Sequence, residues 1–138
     1  MPDYVVHRTI EALNSHKKSL NGSRILLIGL AYKPDVDDDR ESPTYKLMDT
    51  CKGYGAGVGY YDTNVPVIKP SREYGHWAGT ESVAWTRESI ASFDAVVIAT
   101  NHSDIDYAQL AEWAPLIVDT RNAMNGKGTT RPGQVWKA

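Results

Sequence analysis

The chain has 138 residues, 41% of them hydrophobic and 23% charged, with a formal net charge of −2, the profile of one globular domain with an ordinary core. That balance, without a basic stripe or lysine run, argues against a nucleic-acid partner, and no apolar run approaches the roughly 18 residues of a membrane span. The first twenty residues lack a signal-peptide core, so a cytoplasmic protein is expected, and the single cysteine, Cys51, has no partner for a disulfide or metal pair and is read as a helix-face packing residue.

Val6, Ile10 and Leu13 recur at helical spacing, with Val5 and Ala12 beside them, so the opening segment reads as an amphipathic helix running out at Asn21-Gly22. Residues 24–28 form a short continuous apolar run before Gly29, the pattern of a strand covered on both faces. Ser42-Pro43 supplies an N-cap and a proline at the first helical position, for a helix through Tyr45, Leu47, Met48 and Cys51 that stops near Gly53 or Gly55. A strand follows at 58–61. Residues 62–80 turn to Pro, Gly, Asn and Ser, and no regular structure is expected there. Further on, 82–85 reads as a short strand, 87–92 as a short helix, 94–100 as a buried strand, 107–113 as a helix and 116–119 as a strand. The tail after Asn122 is loop-rich, with an edge strand at 134–137. Strands alternating with helices predict an α/β fold, a three-layer Rossmann-like open parallel sheet with helices on both faces.

Such sheets bind ligands at the carboxyl ends of their strands. The predicted strand ends are polar: Tyr32 and Lys33; Asp62 and Thr63; Thr100, Asn101, His102 and Ser103; Asp119, Thr120, Arg121 and Asn122. The connection after the first strand is longer than a connector needs and carries Lys33 and Arg40 among Asp35, Asp37, Asp38, Asp39 and Glu41, so it reads as a ligand loop. It lacks the G-x-G-x-x-G fingerprint, so a full NAD site is not encoded here. Its acids would repel a phosphate, and a phosphorylated ligand must therefore meet specific groups, such as the Lys33 ammonium, the Arg121 fork and backbone N–H groups. The acids also read as a solvated turn, or, through Asp35, Asp37 and Asp38, as a magnesium site of the receiver or phosphatase kind. His102 reads either as a ligand donor or as a hydrogen-bonded surface residue. His7, His16 and His76 have no metal-ligand spacing, and no catalytic nucleophile can be nominated. Trp77, Trp85, Trp113 and Trp136 are scattered and read as packing residues.

The run from Gly29 to Asp38, Gly-Leu-Ala-Tyr-Lys-Pro-Asp-Val-Asp-Asp, with Arg40-Glu41-Ser42-Pro43, resembles the signature of the UDP-glucose and GDP-mannose dehydrogenase family, in its C-terminal UDP-binding domain. Met1-Pro2-Asp3-Tyr4-Val5-Val6, Ala99-Thr100-Asn101-His102-Ser103 with Asp106-Tyr107, and Val118-Asp119-Thr120-Arg121-Asn122 look most like the branch acting on UDP-N-acetylglucosamine or related N-acetylhexosamines. The resemblance covers nearly the whole chain. It implies an enzyme that oxidises a sugar C6 alcohol twice to a carboxylate with two NAD+ and a thioester-forming cysteine. It also implies that the NAD-binding and central domains lie before Met1, that residues 1–20 are the end of a central connecting helix, and that 21–138 are the UDP-sugar-binding domain, inactive alone. Cys51 matches nothing catalytic, so no catalytic residue is expected in the chain.

By motif position, Tyr32, Lys33 and Arg121 are implied to contact the UDP-sugar, with Asn101 and His102 at the same site, and Arg40 to face the NAD of the missing domain. Lys33 and Arg121 are expected to project into one cleft. Thr63 stands where the family usually has proline, and Asp39 where it commonly has an apolar residue. The full enzyme is expected to be a homodimer. A competing reading makes the chain a non-catalytic association module that packs through its first helix.

Overall fold

Ile25, Leu26, Leu27 and Ile28 are each wholly buried, and because strand side chains alternate, they divide between two cores. Ile25 and Leu27 join one cluster, Leu26 and Ile28 the other. Burying each such side chain is worth about 1.5–3 kcal/mol. The same division holds in the next strand inward, where Ala95 and Val97 oppose Val96 and Ile98. A strand of this kind can sit only in the middle of a layered domain.

The computed structural model describes residues 2–31, 35, 42–72, 74–128 and 130–138. In chain order its elements are α1 (Pro2–Ser15), β1 (Arg24–Ile28), α2 (Pro43–Gly53), β2 (Gly57–Tyr61), a short 3-10 helix (Gly75–Trp77), α3 (Arg87–Ala91), β3 (Ala95–Ile98), α4 (Tyr107–Trp113), β4 (Ile117–Asp119) and β5 (Val135–Lys137). The five strands form one all-parallel sheet in the order β2-β1-β3-β4-β5. Helices α1 and α2 pack on the face that holds Ile25 and Leu27, and α3 and α4 on the opposite face. The predicted three-layer architecture is the one observed.

Four local readings change, one of them at Gly75–Trp77, a 3-10 turn inside the 62–80 stretch where the sequence predicts no regular structure. The first helix ends at Ser15, well short of Asn21-Gly22. Lys17 takes a left-handed φ of 61°, its N–H bonds Asn14 O, and the Lys18 N–H bonds Leu13 O, which together make a Schellman stop without glycine. Residues 82–85 are not a regular strand. Their amides turn to different partners, Ser82 N–H to Pro66 O and Val83 N–H to Tyr60 O, so the segment covers the outer edge of β2 in place of extending the sheet. The strand expected over 94–100 is confined to Ala95–Ile98, because beyond Ile98 the chain turns into the loop that forms the site.

Local chemistry sets the helix starts. Ser42 accepts from Thr44 N–H ahead of Pro43, Thr86 accepts from Ser89 N–H, and Asp106 accepts from Gln109 N–H. The apolar side of α1, with Val5, Val6, Ala12 and Leu13, is buried against the rest of the chain, leaving Tyr4 and His7 outside. Cys51 is buried on α2, and burial pushes its thiol up to about 11. Trp77 is buried beneath the Lys52 ammonium, and Trp136 is part-buried beneath the Arg8 guanidinium. Among the described residues no helix is long and apolar enough to cross a membrane.

Candidate functional site

Strand order reverses between β1 and β3: the chain moves outward from β1 to β2, then returns to β3 on the other side. The loops leaving these neighbours diverge and open a crevice at their carboxyl ends. Gly29 makes this junction tight. It has a φ of +92°, and a Cβ there would lie 2.5 Å from Thr100 Cβ and 2.6 Å from Thr100 O. The two strand ends are stitched by Thr100 Oγ1, which donates to Ala31 O at 2.8 Å, while Thr44 Oγ1 donates to Gly29 O at 3.2 Å.

Asp62, the residue after β2, reaches across β1 to the same junction. Its Oδ2 accepts from Leu30 N–H at 2.7 Å, Ala31 N–H at 2.9 Å and His102 Nε2–H at 2.9 Å, and its Oδ1 accepts from Asn64 N–H at 2.8 Å. Both side chains of the Asp62–His102 pair have no exposure. The other imidazole nitrogen, Nδ1, accepts from Asp35 N–H at 2.8 Å, which places the ring proton on Nε2. Burial alone would push the Asp62 carboxyl up, but the bonds from His102, Ala31 and Leu30 outweigh it and hold it below its ordinary 3.8. The bond to Asp62 draws the His102 imidazole above its ordinary 6.5, with burial opposing. The Asp35 N–H on Nδ1 adds to that opposition, since a second proton must displace it.

Further ties join the same loops. Asp35 Oδ1 accepts from both Ser103 N–H, at 2.7 Å, and Ser103 Oγ–H, at 2.9 Å, and these bonds hold its carboxyl below the ordinary value. Tyr107 donates its hydroxyl to His102 O at 2.9 Å, and burial, with Asp119 nearby, pushes the phenol up. Thr63 donates to the Asp104 carboxylate.

A second strand end supplies a cation. Asp119 closes β4, and its carboxylate accepts from Arg121, Ala123 and Met124 N–H at 3.0, 3.1 and 2.9 Å, winding the following turn tightly. That turn presents Arg121, whose Nε donates to Ala99 O at 3.0 Å and whose remaining N–H groups meet no other acceptor among the described residues. Arg121 lines a cavity of about 250 Å³ with Val5 of α1, Pro43, Thr44 and Leu47 of α2, Ala99 and Thr120. The cavity adjoins the β1/β3 junction through Thr44 and Ala99. It is largely apolar, with a guanidinium at one side, which suits a ligand carrying both a carbon framework and an anionic group.

Of the residues read from the sequence, Arg121 lines this cavity, whereas Asn101 and His102 follow the β3 end and do not line it. Asn101 is half-buried, whereas His102 is buried with both nitrogens bonded inside the chain. Tyr32, Lys33 and Arg40 lie outside the described residues, as do Asp37, Asp38 and Asp39 of the acidic loop. Among the described residues no cluster of three or more His, Cys, Asp or Glu is placed to hold a metal.

The first free amides of α2 are already capped, Thr44 N–H by Ser42 Oγ and Tyr45 N–H by Ser42 O, so that helix start offers no open seat for a pyrophosphate of the Rossmann kind. Sequence reading identified the polar strand ends but missed the Asp62–His102 pair, the role of Asp35, and the contribution of Val5, Thr44 and Leu47. One local signal existed: Asp62-Thr63-Asn64 has the composition of an Asx turn, and Asp62 does accept from Asn64 N–H.

The chain is 32% identical over 108 residues to UDP-glucose 6-dehydrogenase YwqF of Bacillus subtilis, covering 75% of this chain and 24% of that protein. It is 28% identical over 133 residues to UDP-N-acetyl-D-mannosamine dehydrogenase of Methanococcus vannielii, covering 91% and 28%. Its fold matches the UDP-D-ManNAc dehydrogenase of Pyrococcus horikoshii with a TM-score of 0.74 at 22% identity, over 99% of this chain and 30% of that one. The chain thus spans about a quarter of the length of these curated relatives. Residues 26–126 match the UDP-glucose/GDP-mannose dehydrogenase family, UDP binding domain, and with that stretch taking in most of its length the chain belongs to this family.

Proposed function

We propose that the chain supplies the UDP-sugar-binding part of an NAD-dependent nucleotide-sugar 6-dehydrogenase, one that takes a UDP-N-acetylhexosamine to the uronic acid by two oxidations at C6. The observation that carries this reading is the position of Arg121: a guanidinium at the wall of a cavity beside the β1/β3 junction, with donors that meet no acceptor but Ala99 O among the described residues. A guanidinium fork pairs with phosphate oxygens in charge-assisted bonds. A volume of about 250 Å³ falls below the roughly 300–1,000 Å³ of a pocket that encloses a whole ligand of this size, so this part of the site takes only a portion of a UDP-sugar. The rest of the ligand, the NAD and the cysteine nucleophile are assigned to other domains of a cytoplasmic, homodimeric enzyme, and these 138 residues alone are inactive. Tyr32, Lys33, Asn101 and Arg121 are the proposed substrate contacts, with His102 at the same strand end, and Arg40 faces the cofactor.

Amide-detected NMR titration with UDP, UDP-N-acetylglucosamine, UDP-glucose and GDP-mannose tests the reading. UDP and the UDP-sugars are expected to move the amides of residues 30, 31, 101, 102 and 121. Arg121→Ala is expected to weaken binding about tenfold or more, the loss of a hydrogen bond to a charged group. Unmoved spectra at about millimolar UDP, a concentration equivalent to only about −4 kcal/mol of binding, would overturn it.

A further inference from the structure

The imidazole–carboxylate pair at the β1/β3 junction does more than satisfy two buried side chains. We propose that His102, backed by Asp62, is a positioning residue that sets the backbone at the carboxyl end of β1 by holding residues 30, 31 and 35 from one buried pair.

Three observations carry this. First, every polar atom of the pair is used, and the partners outside it are mainly backbone N–H groups: Leu30 and Ala31 on Asp62 Oδ2, Asn64 on Oδ1, and Asp35 on His102 Nδ1, where the Asn64 side-chain Nδ2 also lies at 3.5 Å. The pair therefore holds the chain on both sides of residues 32–34 while tying it to the loops after β2 and β3. Second, Asp35 has a φ of 61°, a conformation most L-residues avoid and Asp adopts more readily than most, and it is held there twice, through its N–H by His102 and through its carboxylate by Ser103. Strained backbone persists where its surroundings over-determine it, and such places cluster at ligand sites. Third, a buried ionisable pair is weak support for stability, since apolar replacements of similar volume often serve as well, whereas fixing a single arrangement is a task such pairs perform in some proteins.

The inference rests on the reading that this crevice takes a UDP-sugar, and its test separates the two. Two variants divide the imidazole between its nitrogens. Asparagine places an amide oxygen near the site of Nδ1 and keeps an acceptor for Asp35 N–H; glutamine places an amide near Nε2 and keeps a donor for Asp62. Long-range ¹⁵N NMR of the unmodified chain at about pH 8 should show the Nε2–H tautomer of His102, with slow hydrogen exchange at the amides of residues 30, 31 and 35.

His102→Gln should retain the melting temperature more fully than His102→Asn, yet exchange faster at residue 35 and bind UDP about tenfold more weakly, the larger affinity loss of the two. A proton on Nδ1, or unchanged exchange at residue 35 in His102→Gln, overturns the inference. So does an affinity order that follows melting temperature in place of residue 35 exchange. If the unmodified chain fails to bind UDP, the functional reading falls, and the tautomer and exchange results still decide whether the clasp exists.

Discussion

Gly29→Ala tests how closely the strand ends that frame the crevice must approach. An alanine there meets two penalties. A left-handed φ, here +92°, costs an L-residue about 1–2 kcal/mol. The new Cβ would also sit 2.5, 2.6 and 2.8 Å from Thr100 Cβ, O and N, and forcing such an overlap typically costs about 1–3 kcal/mol. Thr100 is poorly placed to yield, because its Oγ1 is bonded to Ala31 O and its N–H to Ile28 O. Together the terms give about 2–5 kcal/mol, a large share of the roughly 5–15 kcal/mol that holds a domain folded. For 138 residues the unfolding entropy is about 0.3 kcal/mol/K, so the melting temperature should fall by about 7–17 °C. Thermal unfolding followed by circular dichroism measures this, with Gly53→Ala as control. A Cβ at Gly53, which ends α2, would meet nothing within 4 Å, so alanine there should be neutral or slightly stabilising. A Gly29→Ala protein melting within about 2 °C of the parent would refute the claim of a rigid close approach.

The remaining predictions concern buried groups. The Asp62 carboxyl lies below 3.8 when folded, so its stabilisation is fully present above that unfolded value and is lost as pH falls through the folded one. The raised His102 imidazole adds stability as pH falls from about 7 to 5, so urea midpoints should not fall in that window; they should drop below about pH 4, and the drop should be smaller in Asp62→Asn, which starts less stable. Equal slopes in the two proteins would count against the assignment. The Cys51 thiol, buried and pushed up to about 11, should not react with a disulfide reagent at about pH 8 until the protein is unfolded; rapid labelling of the folded chain would show that α2 opens readily. Gln134 is buried, donates to Ala111 O and Ala114 O at 2.7 Å each, and accepts from Arg131 N–H. Gln134→Leu should cost about 1–3 kcal/mol in denaturant unfolding, because Ala111 O would lose its side-chain donor while Ala114 O keeps the Arg131 guanidinium, and a loss under about 0.5 kcal/mol would mean that water replaces it.

The chain by itself determined its elements wherever the signal was local. The apolar run of β1, the Ser42-Pro43 start of α2 and the helical spacing of Val6, Ile10 and Leu13 depend on neighbours within a few residues, so periodicity and capping chemistry were enough. The signature from Gly29 to Pro43 likewise identified the family from adjacent residues. The stop of α1 at Ser15 was not legible, since a lysine holds the left-handed position where a glycine would have marked it. What only the tertiary structure decided was which polar strand ends meet. Asp62 and His102 are 40 residues apart, Asp35 and His102 are 67, and Gly29 closes on Thr100 only because β3 lies beside β1. Strand order is a global choice, fixed by how the helices cover both faces of the sheet, and no local pattern carries it. Polar residues at strand ends therefore show where a site lies, and the packing of the layers assigns each of them its partner.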